Sequence, residues 1–467
     1  MFIAILVILL FFYLILRYRN YINKYNDINQ IPGPTLIDII KSYRNSDGLI
    51  NFLQSLNSKY GPIIKIWIKP LPPTIITTDS EFLDKIYRSN DYFYNASFAD
   101  VKSLFRNSLL TTTSRESWRN DKQIIMKTFT PGFISNHLLV YKRKYNEFIE
   151  MIYENLEKPI DIQPHMRKIH AEIMIESMMD PQIKMTQEEI NEYMKNWLIY
   201  FDLLLKKMNS LGILYKFTNN YRTSLKCAEN IIKIMENLLK RHKNVSQDQR
   251  AKNNLMYAFI DSGMSDDKIV DNMNITIGGG FETSVIPISL TLYELGKRPE
   301  LQEKILEEIL SVIGPELKEI TFNDLNNMTY LQCVANEAVR LYFPSPFMDR
   351  LLPNNVKVKD MVIPKDTQVV FHLSKIFKSN EYFENANVFN PDRFLQGSVT
   401  EKTLLWFGYG AKQCPGKKIA YASIKLLLAT ILREFKIYPV KDHEVQLKSD
   451  INFTSVTGIP VIFKKRM

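Results

Sequence analysis

Cysteine is scarce in this chain: Cys227, Cys333 and Cys414 are the only three in 467 residues. So few exclude a disulfide framework and fit a reducing compartment. The six histidines, His137, His165, His170, His242, His372 and His443, show no metal-ligand spacing and read as structural or surface residues. No Gly-Lys-Ser/Thr follows the glycine triplet at 278–280, which rules out a phosphate loop. Also missing are a dinucleotide fingerprint, an internal repeat and a low-complexity tract. No basic residue precedes the amino-terminal apolar run, and no small-x-small site follows it, so a cleaved signal peptide is disfavoured.

What is present is an ordinary globular composition, 45% apolar and 24% charged, with ample chain for a large core. The net charge of +10 is read mostly as solvated surface, and no zinc-finger or RNA-binding motif accompanies it, so no nucleic-acid partner is expected. Phe2 to Leu16 is an unbroken apolar run followed by Arg17, Arg19 and Lys24. As a helix it reaches roughly 22 Å, somewhat short of a hydrocarbon core of about 30 Å. Tyr18 and Tyr21 can extend it through the interface while the arginines snorkel. Residues 1–19 are therefore expected to form an uncleaved single-pass anchor with the rest of the chain on the cytosolic side. Residues 20–35 form a basic, proline-rich linker ending in the stiff turn Ile31-Pro32-Gly33-Pro34.

Beyond the linker, alternation predicts strands at Ile66–Ile68 and Thr74–Thr77. Helical periodicity then dominates, over Trp118–Phe129, His137–Leu156, His165–Met179, Thr223–Lys243 and Ser265–Leu295. Short strands return around Val356–Val370 and Ile451–Phe463. The fold class is mostly α with a minor β region.

Cys414 carries the chemistry. It closes the run Phe407-Gly408-Tyr409-Gly410-Ala411-Lys412-Gln413-Cys414-Pro415-Gly416, just before an amphipathic stretch from Ile419 to Phe435. A cysteine before a helix start meets unpaired backbone N–H groups and the positive end of the helix dipole, which favour thiolate. Pro415 fits a first helical turn, Gly416 leaves room for something flat, and Gly408 and Gly410 let the loop turn tightly. A lone thiolate cannot complete a zinc site but can be the axial ligand of a haem iron. The pattern Phe407-x-x-Gly410-x-x-x-Cys414-x-Gly416 resembles the haem-binding loop of the cytochrome P450 family.

Other segments share the resemblance. Gly280-x-Glu282-Thr283, within a helical stretch that glycine disfavours by roughly 1 kcal/mol per residue, is similar to the family's oxygen-binding groove. It implies that Thr283 steadies a water and hydrogen-bonds the oxygen being cleaved, while Glu282 relays protons. Glu337-x-x-Arg340 and Phe389-Asn390-Pro391-Asp392-Arg393-Phe394 resemble two further family segments and imply a buried Glu337–Arg340–Arg393 cluster of structural role. Trp118-x-x-x-Lys122 stands where the family has Trp-x-x-x-Arg against the haem propionates. Lys412 takes a position usually held by arginine or histidine, and Arg350 matches a usual propionate partner. The turn at 31–34 resembles the hinge of membrane-bound members.

The resemblance implies one large haem domain over residues 36–467, in the cytochrome P450 fold. Its cofactor would be haem b, iron protoporphyrin IX, with Cys414 as axial thiolate. The activity would be insertion of one atom of O2 into a mainly apolar small molecule. Electrons would come from a separate NADPH-cytochrome P450 reductase, with cytochrome b5 as a second donor, at the endoplasmic reticulum membrane. Lys412, Lys417 and Lys418 around the cysteine would attract an acidic donor. Two alternatives stand beside it: a haem-thiolate lipid hydroperoxide isomerase or dehydratase, and a non-catalytic haem-binding membrane protein. By family analogy, residues 98–109, 271–281, 345–352 and 453–459 border the substrate pocket. Within them Phe98, Phe105, Phe281, Phe347 and Met348 are expected as apolar contacts, and Asn272, Asn274 and Asp349 as polar ones.

Overall fold

A computed structural model describes residues 2–44, 49–69, 71–89, 101–208, 215–316, 318–395, 405–449 and 453–466. Phe98, expected at the pocket border, lies outside them. The chain is mostly helical with small sheets, as its periodicity implied. Its residues cluster into two compact units.

The smaller unit comprises Met1–Ser97, Pro346–Ile376 and Tyr409–Lys412. Its first helix runs Phe2–Lys24, past the end of the apolar run. Twenty-three residues span roughly 34 Å at the helical rise, so the helix is longer than the apolar stretch suggested. Its carboxyl end is tied down: Tyr25 packs edge-on against Trp67 at 5.7 Å, and Lys24 Nζ meets Asp366 at 3.2 Å. In the linker, a Cβ on Gly33 would stand 2.0 Å from the Lys65 carbonyl oxygen, so close backbone approach demands glycine there. A four-stranded sheet follows the spatial order Ile63–Ile66, Thr74–Thr77, Gln368–His372, Phe347–Leu351. Thr74–Thr77 and Gln368–His372 pair in parallel, and the other two pairings are antiparallel. The expected strand through Ile68 stops at Ile66, because the Trp67 indole turns to donate to the Leu71 carbonyl at 2.8 Å.

The larger unit comprises Phe98–Ser345, Phe377–Gly408 and Gln413–Met467. Its helices begin at side-chain caps: Ser114 accepts from the Ser117 amide at 3.2 Å, and Thr130 accepts from Phe133 ahead of Pro131. The central helix, Asp266–Gly296, is apolar and long enough to cross a membrane, but most of it is buried within the fold, so it serves as the core. It packs on the helix Ile162–Met178 and on neighbours that the glycine triplet admits. A Cβ on Gly278 would stand 1.7 Å from the Trp197 ring, and one on Gly280 would stand 2.2 Å from Met174 Cε. Close packing thus offsets the propensity cost at these two positions. A three-stranded sheet, ordered Pro159–Asp161, Pro460–Lys465, Phe435–Pro439, lies in the same unit.

The cluster implied by the two acidic-basic segments forms. Glu337 and Arg340, both with fully buried side chains, pair through two bonds of 2.7 Å. Arg340 also donates to the Phe377 and Ala386 carbonyls at 2.5 and 2.7 Å. Arg393 Nε reaches Glu337 at 3.1 Å, and the Asn390 amide donates to the same carboxylate at 2.8 Å. Glu337 thus accepts four hydrogen bonds, three on Oε1 and one on Oε2, the kind of pairing under which buried charges persist.

Candidate active site

The cysteine loop is held from both ends. The Cys414 amide donates to the Phe407 carbonyl at 2.7 Å, closing the turn. Gly408 and Gly410 have φ of 75° and 56°, the left-handed region their lack of Cβ permits. The helix after the loop, Lys417–Glu434, has Gly416 as its N-cap, so Pro415 lies before the first turn rather than within it. This leaves the amides of Gly416 and Lys417 as the donors that face the sulfur.

Two opposing effects set the charge of Cys414. Burial pushes its thiol up, and the Gly416 amide, Lys122 and the Lys417 amide pull it down, with burial prevailing. The helix start thus acts in the expected direction without deciding the outcome by itself. Cys414 nevertheless keeps accessible surface. Both observations hold for a sulfur with many protein atoms around it that still has a side open to solvent. A Cβ on Gly416 would stand 3.8 Å from the sulfur and within 4 Å of no other group, so a side chain at 416 would enter the open space beside the sulfur. The donor set fits a flat prosthetic group that brings its own equatorial ligands and needs one axial thiolate. Among the described residues, no cluster of three or more His, Cys, Asp or Glu could hold a metal by itself.

Lys122 lies beside the cysteine loop. Its Nζ donates to the Gln413 carbonyl at 2.7 Å, next to the cysteine, and lies 5.4 Å from the centre of the buried Trp118 ring. Burial lowers its pKa, while the nearby Cys414 raises it. A lysine here braces the cysteine loop and offers positive charge to the sulfur. Phe407 packs on Tyr421 at 4.9 Å, and the Tyr421 hydroxyl accepts from Trp406 Nε1 at 2.9 Å.

On the central helix, the residue that faces open space is Gly279, not Gly280: nothing lies within 4 Å of a Cβ built there. Gly280, expected beside the cofactor, is accounted for by its contact with Met174. Thr283, one turn after Gly279, is part-exposed and donates its hydroxyl to the Gly279 carbonyl at 2.6 Å. Glu282 pairs with Arg167 at 3.4 Å. Burial raises the Glu282 carboxyl, and Arg167 opposes the rise. Arg167 lies 115 positions away in sequence, so no motif announced it.

Arg350 and Lys412 belong to the smaller unit. Arg350 is buried, with its guanidinium 4.8 Å from the Tyr87 ring centre and Nη1 donating to the Asp349 carbonyl at 2.8 Å. Lys412 ends the short turn Gly410–Lys412. The polar residues expected at the pocket border are engaged within the protein. Asn272 accepts from the Leu109 amide at 2.7 Å, Asn274 accepts from the Tyr193 hydroxyl at 3.1 Å, and Asp349 accepts from Gln368 at 2.8 Å. Phe105 and Phe281 are buried against Trp197. Sequence alone could not separate these core contacts from pocket contacts.

A cysteine loop ahead of a helix, tied to Lys122 through the Gln413 carbonyl and set in a mostly helical chain with a buried Glu337–Arg340–Arg393 cluster, fits a haem-thiolate class of protein. The Cytochrome P450 family profile matches residues 30–460, and the chain belongs to the cytochrome P450 family. It is 22% identical over 493 residues to Cytochrome P450 4c21 of Blattella germanica, covering 99% of this chain and 98% of that one. It is 24% identical to Probable cytochrome P450 4s3 of Drosophila melanogaster, with 94% and 92% covered. With Cytochrome P450 3A25 of Mus musculus it shares 24% identity, over 90% and 87% of the two chains. The fold is that of the family, the activity is that of an oxygen-incorporating monooxygenase, and membership implies a haem held by a cysteine thiolate.

Proposed function

We propose that this chain is a membrane-anchored monooxygenase whose haem b is ligated by Cys414 and whose substrates are mainly apolar small molecules. The observation that carries the reading is the accessible, enclosed sulfur with the Gly416 and Lys417 amides directed at it. Residues 1–19 are read as the anchor, 20–35 as the linker and 36–467 as the haem domain, on the cytosolic face of the endoplasmic reticulum. Electrons come from NADPH through a separate reductase, with cytochrome b5 as a second donor. Support for an acidic donor protein lies in Lys412, Lys417 and Lys418, which flank the cysteine in sequence.

When bound, haem supplies activation of O2 and cleavage of its O–O bond. The residues of this chain do the rest. Cys414 would hold the haem through its sulfur, and Lys122 with the two amides would steady the negative charge of the thiolate. Gly416 and Phe407 leave and wall the space beside it, and Trp118 backs Lys122. Arg350 and Lys412 are carried as propionate partners by the resemblance alone. Gly279 leaves one side of the central helix open at Thr283. Thr283 parks its proton on the Gly279 carbonyl, so its oxygen can accept from a water, and rotation about χ1 lets it donate. At Glu282, burial favours the protonated form and Arg167 the ionised one, with burial prevailing, and this carboxyl is the proposed proton relay.

Turnover with reductase tests this. NADPH and O2 consumption coupled to a hydroxylated product supports the monooxygenase. Rearrangement of a hydroperoxide without either would point to an isomerase or dehydratase, and haem binding without turnover to a non-catalytic protein. The Glu282–Thr283 pair weighs against the isomerase, which needs no proton delivery.

A further inference from the structure

A cleft lies along the helix that follows the cysteine, Lys417–Glu434. Lys418, Tyr421 and Lys425 fall on one face of it, three and four residues apart, with Leu325 and Asn326 of the short helix Phe322–Asn327 and Gln332 of Thr329–Leu341 opposite. Together they line a cleft of about 210 Å³. Lys425 is only 5% exposed, and its ammonium donates to the Leu325 carbonyl. Among the described residues, the acidic group that acts on it is Glu308, whose carboxylate is taken up by the Tyr330 and Leu331 amides at 2.6 and 2.8 Å. Burial pulls the lysine down to about 8. A buried cation is costly unless an anion and further acceptors meet it. Here one carbonyl does so, and an ammonium has three N–H groups to place.

We infer that this cleft binds a small organic carboxylate, its charge on Lys425 with Lys418 at the mouth and its apolar body between Leu325 and the Tyr421 ring. The amides of Asn326 and Gln332 are the remaining polar groups on its wall. The wall is also mechanically connected to the cysteine loop, because Tyr421 packs on Phe407 and accepts from Trp406. An aromatic carboxylate suits both halves of the lining.

The test is calorimetric titration of the haem-loaded full chain with benzoate, read beside its haem spectrum. Wild type should bind saturably without a Soret shift. Lys425→Met, which keeps the side-chain length but not the charge, should bind at least tenfold more weakly. Asn326→Glu, at an exposed position, should do the same by placing a carboxylate in the cleft, and it tests the idea even if Lys425→Met fails to fold. Lys418→Ala should weaken binding by a smaller factor. Overturning results are no saturable binding to wild type, binding unchanged in Asn326→Glu, or binding that moves the Soret band and survives both substitutions, which would place benzoate at the haem instead.

Discussion

At the scale of single residues, the site depends on what surrounds one sulfur. Gly416 has an ordinary φ of −81°, so glycine is not required there by the backbone. An added Cβ would make a normal 3.8 Å contact with Cys414 Sγ, so the protein itself tolerates alanine. A flat ligand over that sulfur would not. Gly416→Ala is therefore expected to weaken haem retention by roughly tenfold or more, about 1.4 kcal/mol, while the haem-free chain melts as wild type does. The Soret-to-protein absorbance ratio after dialysis checks this, and unchanged retention would contradict the placement of haem beside Gly416. Lys122 shows the reach of residue-level reading. Its spacing from Trp118 was legible, but its partner, the Gln413 carbonyl, lies 291 positions away. The sequence pattern names a cation and leaves its target open.

At the scale of elements, helices were legible because burial imposes a period. The predicted span Ser265–Leu295 differs from the observed Asp266–Gly296 by one residue at each end. Where a local side chain competes, the period misleads, as when Trp67 ends a strand that alternation would have continued. The glycine triplet was legible as a departure from helix propensity, but helix phase, not composition, decides that Gly278 and Gly280 pack while Gly279 faces outward. The acidic-basic cluster was readable because it is short-range in part, with Glu337 and Arg340 three apart. Glu337→Ala should strand two buried guanidinium groups and cost about 3–5 kcal/mol. That is a large share of a typical 5–15 kcal/mol, so little folded haem protein should be recovered on expression.

An aromatic column on the helix Pro131–Glu154 gives a pH prediction. His137 stacks between Phe133 and Tyr141 at 5.6 and 5.1 Å, and burial lowers it from 6.5 to about 3. Because the unfolded chain binds the proton first as pH falls, stability from this residue is present above pH 6.5 and lost between 6.5 and about 3. Each such group contributes a slope of about 1.4 kcal/mol per pH unit in that window. His137→Phe keeps the stack and removes the titration, so its urea midpoint should fall less steeply with acid than that of wild type. Equal slopes would contradict the neutral, buried state of His137.

At the scale of the whole molecule, the first helix and the haem domain make separable demands. Tyr21, Lys24 and Tyr25 pack against the body of the smaller unit, whereas the apolar run before them does not need to be kept for that contact. Removing residues 1–19 should move the protein from the membrane pellet to the supernatant while keeping its haem spectrum. Fractionation with and without the segment decides it, and a truncated chain that stays in the pellet with its haem intact would argue for a second membrane contact. The central claim rests on one bond, and the absorption spectrum of the reduced, carbon monoxide-bound protein reads it directly. A red-shifted, thiolate-type Soret band is expected in wild type and should disappear in Cys414→Ser. A histidine-type band in wild type, or a thiolate-type band that survives the substitution, would contradict it.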